Sequence, residues 1–304
     1  MIVNDAHCHF FSTRFFGALG RGLKSHDPAA PEQLALETLG WDPPGTPEQL
    51  GDRWVAELDR HGVSRAALIA SVPGDAESVA VAVGRHPQRV VGFFMVDPTQ
   101  PDAADAAARA IDRDRLQAIC LFPAMHRYSL HDGRVSRLLD VAAARPGTAV
   151  FVHCGVLSVG VRKKLGLPSP FDIRLGNPLD LHAVALAHPS VPIVIPHFGA
   201  GLLREALMVA DLCSNILFDT SSSNGWIKYE PGLTLEAVFR QALVVLGPDR
   251  LLFGSDSSFF PRGWVKDVYD RQAAALDVLG VSVDVKTRIF GGNFNRVFAP
   301  SAKH

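Results

Sequence analysis

Eight short apolar runs, separated by amphipathic segments, constrain the fold of this chain more than any other feature. They are Ile2 to Ala6, Ala66 to Ser71, Val90 to Val96, Ala118 to Phe122, Ala149 to Val152, Pro192 to Pro196, Asn215 to Asp219 and Leu251 to Gly254. Runs this short, bounded by turn residues, read as buried strands. The segments between them carry apolar residues at helical spacing, as in Leu138, Val141 and Ala142, or Leu202, Leu203, Ala206 and Val209. Buried strands alternating with amphipathic helices predict a parallel sheet covered on its outer side, and eight such units suit a closed ring. The expected fold is α/β, a (β/α)8 TIM barrel, with a doubly wound open sheet as the alternative. Closed barrels of about 250 residues fold as one unit, so residues 1–304 are expected to form a single domain.

Two stretches exceed ordinary connections. About thirty residues separate the first strand from a helix predicted over Thr46 to His61, and they hold Gly17, Gly20, Gly22, Pro28, Pro31, Pro43 and Pro44. This long loop after strand 1 is expected to form part of a mouth or lid. The second stretch, Leu157 to Pro178, follows the fifth run and contains Arg162, Lys163, Lys164 and Arg174. A charge run of this kind reads as a solvated face.

Charge excludes several partners. With Lys+Arg 30 against Asp+Glu 31, the formal net charge of −1 leaves no electrostatic footprint for nucleic acid or an anionic membrane. No apolar run reaches the length of about 18 residues that a spanning helix needs, and Met1-Ile2-Val3-Asn4-Asp5 has no leader-like pattern. The expected partner is a small-molecule substrate and the expected location cytoplasmic. Cys8, Cys120, Cys154 and Cys213 lie scattered in apolar stretches, as packing thiols of a reducing compartment would.

Polar residues punctuate the strand ends. His7 and His9 close the first strand, and a side-chain period of 2 points both imidazoles one way and Cys8 the other, so the pair can grip one ion. An isolated His-x-His is a weak signal, but its position at the C-terminal end of a barrel strand strengthens it. His153 ends the fifth run, His197 the sixth and Asp256 the eighth. Any one of these could be a buried histidine or aspartate satisfied by backbone; their convergence on one barrel mouth is hard to attribute to coincidence.

Asp5-Ala6-His7-Cys8-His9, Val152-His153-Cys154-Gly155, Ile195-Pro196-His197-Phe198-Gly199, Leu252-Phe253-Gly254-Ser255-Asp256 and the tail Gly292-Asn293-Phe294-Asn295-Arg296-Val297-Phe298 together resemble the amidohydrolase superfamily. The nearest branch is the amidohydrolase-2 group, which holds aminocarboxymuconate-semialdehyde decarboxylase, resorcylate-type decarboxylases, lactonases and other hydrolases. The resemblance implies that His7, His9, His153 and Asp256 bind one divalent metal ion, zinc first, with manganese or another divalent ion as the alternative. It also implies that His197 stands beside the metal-bound water, that His197 and Asp256 are catalytic, and that the chain pairs as a homodimer. Two-metal members carry a bridging lysine after the fourth strand, whereas this chain reads Cys120-Leu121-Phe122-Pro123 there, so one ion is the consistent count.

Around that centre, Arg262, His126 and Trp264 are candidates for substrate binding, Arg262 as a bidentate clamp on a carboxylate. Phe10, Phe11, Phe15, Phe16, Phe259 and Phe260 flank the same mouth. Asp97-Pro98 reads as a turn cap rather than a ligand, and His61, His86, His182 and His188 as helix-end or exposed residues. Hydrolysis, by metal-activated water attacking the carbonyl of a lactone, ester, amide or similar group, is the leading expectation. Nonoxidative decarboxylation of an aromatic or unsaturated acid on the same site is the alternative.

Overall fold

The computed structural model of the protein describes residues 1–25 and 27–299. Its eight strands are β1 (Val3–Phe10), β2 (Val63–Ala70), β3 (Val90–Val96), β4 (Ala118–Leu121), β5 (Ala149–Val152), β6 (Ile193–Ile195), β7 (Ile216–Asp219) and β8 (Leu251–Leu252). They pair in parallel in sequence order. The ring is joined beyond β8, where the Ala6 amide donates to the Phe253 carbonyl, the Asp256 amide to that of His7 and the His9 amide to that of Ser257, all at 2.7–2.8 Å. The expected (β/α)8 barrel is therefore the observed one. Among the described residues, no helix is long and apolar enough to cross a membrane.

Alternation sorts the strand residues into two layers. Ala67, Ile69, Phe93, Cys120 and Phe151 fill the interior, while Ala66, Leu68, Phe94, Ile119 and Val150 face the surrounding helices. The bottom is closed by the tail. Phe294 and Phe298 insert into the interior cluster, and burying each ring contributes about 2–3 kcal/mol. The side chain of Asn293 holds this tail in place by donating to the Pro248 and Leu251 carbonyls at 2.7 and 2.8 Å. Arg65 on β2 lies over the Phe294 ring and donates to the Phe298 carbonyl at 2.8 Å.

Sequence and structure differ most in and just after β1. β1 runs four residues past its expected end, so His7 and His9 lie within the strand. The long connection after β1 is not irregular: it folds into helices over Thr13–Gly20 and Pro31–Leu39, so close that a Cβ on Gly20 would stand 1.6 Å from the Pro31 carbonyl oxygen. Glycine and proline spacing had concealed this helical pair. The helix expected over Thr46 to His61 spans Pro47–Arg60, with Thr46 and Gln49 forming a capping box.

Candidate metal centre

A β-bulge builds the heart of the site. Asp5 pairs with Ala66 and Cys8 with Leu68, so β1 spends one more residue than β2 between those points, and both Ala6 and His7 turn inward. Asp5 points outward, where it accepts from the Trp264 indole at 2.6 Å and from the backbone amides of His7 and Ser255 at 2.9 and 3.0 Å. The bulge is thus pinned from outside while His7 and His9 face the barrel mouth.

The hydrogen-bond network fixes which ring nitrogens carry protons. His7 Nδ1 lies 2.6 Å from Asp219 Oδ2, an acceptor, so it donates. His9 Nδ1 lies 2.8 Å from Ser71 Oγ, whose own proton goes to the Ile69 carbonyl, so it donates too. Ser221 Oγ donates to Asp219 Oδ2 at 2.9 Å and accepts from His197 Nδ1 at 2.9 Å. Each neutral ring therefore turns an Nε2 lone pair away from its partner. His7 Nε2 and His9 Nε2 are 3.4 Å apart, and Asp256 Oδ1 is 3.5 Å from the first and 3.0 Å from the second. Lone pairs this close to one another and to a carboxylate repel unless a cation stands between them. A divalent ion fits that donor set, and the His7–Asp219 and His9–Ser71 contacts supply the outer-shell support that metal-ligating histidines use.

The electrostatics agree. Burial pulls His7 down, but the charges of Asp219, Asp256 and Asp5 outweigh it and hold the ring above its ordinary 6.5. Burial raises Asp256, yet the His9 hydrogen bond and the facing histidines take its carboxyl well below the usual range. Burial, helped by the neighbouring His197 and His7, pushes His153 well below 6.5, and burial likewise lowers His197.

Among the described residues, His7, His9 and Asp256 form the one set whose ligand atoms all lie within 4.8 Å of each other. His153 stands beside this set rather than in it. Its ring is stacked on Phe122 and lies 5.4 Å from that of His197, and its buried Nδ1 has no partner within the protein. His153 and His197 are held side by side because the turns after β5 and β6 touch backbone to backbone: a Cβ on Gly155 would meet the Gly199 carbonyl oxygen at 2.2 Å. From His197 to Gly201 every residue has positive φ, with His197 at 55°, Phe198 at 53° and Ala200 at 43°. Such conformations cost about 1–3 kcal/mol each in non-glycine residues and cluster at functional sites.

The cluster forms the floor of a cavity of about 860 Å³. His126 and Arg262 line it, as expected, and so do Phe11, Phe15 and Phe260. Trp264 does not: its indole is 4 % exposed and turned toward Asp5, so its expected contact with substrate is corrected to a structural role. The stretch after β5 is exposed at Lys163, Lys164 and Arg174, as a solvated face, and Leu157 through Arg162 with Lys164 also form a wall of the cavity. Asp97 accepts from the Thr99 amide and hydroxyl at 2.9 and 2.8 Å, as a turn cap, and His61, His86 and His188 cap helix ends. All four cysteines are free and buried.

Asp219, Ser221 and Ser71 are the site residues that sequence reasoning passed over. Asp219→Asn should leave the fold intact and weaken divalent-ion binding by about 10- to 100-fold, because the amide accepts from His7 without holding its charge. Calorimetric titration of zinc into the stripped variant measures this; unchanged affinity would remove Asp219 from the site.

Comparison with known proteins places this geometry. A family model described as amidohydrolase matches residues 4–299. The chain belongs to the amidohydrolase family. In sequence, this amidohydrolase is 24% identical over 170 residues to the protein fluG of Emericella nidulans, a match covering 55% of the chain and 18% of that protein's length. In structure it superposes on an amidohydrolase from Burkholderia multivorans with bound zinc at a TM-score of 0.67 and 16% identity, covering 99% and 100% of the two chains. A 5-carboxyvanillate decarboxylase from Novosphingobium aromaticivorans, complexed with manganese and 4-hydroxy-3-methoxy-5-nitrobenzoic acid, gives 0.66 and 16%, covering 98% and 96%. A probable 2-pyrone-4,6-dicarboxylic acid hydrolase from Acinetobacter baumannii gives 0.62 and 14%, covering 98% and 99%. Neighbours of the amidohydrolase thus include a decarboxylase and a probable hydrolase.

Proposed function

We propose that the protein is a metal-dependent hydrolase cleaving a lactone, ester, amide or similar bond of a small organic substrate. The observation that carries this reading is the convergence of His7 Nε2, His9 Nε2 and Asp256 Oδ1 on one point at the floor of a large cavity. These three would hold one divalent ion, zinc or manganese as in the relatives, with His153 as a fourth ligand. Such an ion polarises a carbonyl oxygen and brings the pKa of a bound water near neutrality. His197, kept neutral by burial and protonated on Nδ1, presents Nε2 as an acceptor that takes a proton from the attacking water and returns it to the leaving group. Asp256, ionised, is the second proton acceptor. Phe151, edge-on to His7, and Phe122, stacked on His153, keep bulk solvent off those two rings.

Decarboxylation is the second reading, favoured by a cavity whose walls are aromatic and whose lining holds one acidic side chain, Asp256. Product analysis separates the two. Protein carrying about one ion per chain is expected to open lactones or cleave esters or amides, and to stop on chelation. Release of CO2 from aromatic carboxylates, without hydrolysis, would put the second reading in place of the first.

A further inference from the structure

The helix Lys266–Val278 packs on the outside of the barrel through Val268, Ala275 and Leu276, and among these apolar residues it buries Gln272, 1 % exposed. A carboxamide sunk in an apolar layer is costly unless its polar atoms are bonded. Those of Gln272 are. Its Nε2 donates to the Thr220 carbonyl at 2.7 Å and lies 3.4 Å from that of Gly254, while its Oε1 accepts from the Thr220 hydroxyl at 2.6 Å. Carbonyls can only accept, so the orientation of the amide is fixed.

Both carbonyls belong to segments that carry the site, Thr220 just after β7 and Gly254 just after β8. Among the described residues, the backbone ladder between these segments closes with the Thr220 amide on the Leu252 carbonyl at 2.9 Å, and Gln272 spans the gap above it. From inside, the gap is filled by the outer partners of the histidines: a Cβ on Gly254 would stand 2.6 Å from Asp219 Oδ1, 2.8 Å from Ser221 Cβ and 2.9 Å from His7 Cβ. Alternation turns Asp219 and Ser221 inward, to His7 Nδ1 and His197 Nδ1, and Thr220 between them outward, to Gln272. Two residues beyond Gly254 stands Asp256, whose amide donates to the His7 carbonyl. A movement of Thr220 against Gly254 thus moves both supports of the histidines relative to the carboxylate that faces them.

We propose that Gln272 is a positioning residue for the histidine cluster: from outside the barrel its carboxamide sets the spacing of the β7 and β8 ends, and through Thr220 it holds Asp219 against His7 and Ser221 against His197. This deepens the function proposed above and rests on it, because the cluster so aligned is taken to bind the metal.

Gln272→Leu, an apolar replacement of similar size, removes all three bonds, and two measurements on metal-free protein read the result. The His7 Nδ1 to Asp219 contact of 2.6 Å should give a downfield imidazole proton resonance that His7→Ala lacks; in Gln272→Leu it should move upfield or broaden away. Calorimetric titration should show zinc bound about tenfold more weakly, the small end of the loss that an outer-shell partner brings. Asn293→Leu is the control, since Asn293 clamps the other end of β8 with the same kind of amide. It should lower the melting temperature and keep both the resonance and the zinc affinity. Thr220→Val, which deletes one of the three bonds, should shift the resonance in the same direction by less, and it decides the question if Gln272→Leu does not fold. A native resonance in a folded Gln272→Leu protein, or in Thr220→Val where that one does not fold, would overturn the role, and so would an equal change in Asn293→Leu. Native protein that shows the resonance but takes up no zinc would instead overturn the metal reading, and the resonance alone would then decide the role of Gln272.

Discussion

His7→Ala should keep the barrel and lose metal and activity together. The His7 ring is 1 % exposed and links Asp219 to the facing Asp256. Its removal deletes one of three converging ligand atoms and leaves Asp219 with Ser221 as its remaining partner at the site. Loss of an outer-shell partner costs 10- to 100-fold in affinity, so loss of the ligand itself should exceed about 100-fold. The hole is polar and will hold water, which moderates the cost to stability. Elemental analysis and turnover on the same preparation, with a thermal melt to establish folding, decide the matter. A folded His7→Ala protein with a full complement of ion and normal turnover would falsify the assignment.

His197→Ala should behave differently, staying metallated and slowing by about a hundredfold or more, the scale of a positioned acid or base. Its Nδ1 is held by Ser221 Oγ at 2.9 Å, and its ring stacks on His7 at 5.0 Å without joining the compact ligand set. The affinity for zinc should therefore change little while turnover falls. If the variant purifies without metal, His197 is a ligand; if turnover stays near normal, it has no part in the proton transfers.

Much of the fold was legible because short buried strands leave a contiguous apolar signal and their order then follows from chirality and closure. The ends of those strands were legible for the same reason, since a polar residue after an apolar run stands out, and His7, His9 and Asp256 do come together. Asp219 carries that same mark as the last residue of β7, but its carboxylate was taken into the strand rather than counted as a strand-end group. Ser71 and Ser221 act through hydroxyls whose direction no spacing encodes. Trp264 was misplaced because loop aromatics seal a barrel or line its mouth with the same composition, and the difference lies in whether Asp5 is within reach. The helical pair after β1 was hidden by Gly20 and Pro31, read as breakers when they are the points of closest helix contact.

The seam where the ring is joined has a consequence for the order of assembly. His9 and Asp256, 3.0 Å apart, are separated by 247 positions along the chain. A nascent chain that has emerged through β7 already carries both histidines of β1, with Asp219 and Ser71 to hold their Nδ1 atoms, but lacks the Asp256 carboxylate that faces their Nε2 atoms. Non-local pairings of this reach form late, because loop closure must precede the contacts that stabilise it. The convergence of lone pairs therefore comes into being with the last strand, and an ion that needs all three atoms can recognise no earlier intermediate. Capture of the ion during refolding would accordingly serve as a clock for the final step, rising with joining of the seam rather than with formation of helices.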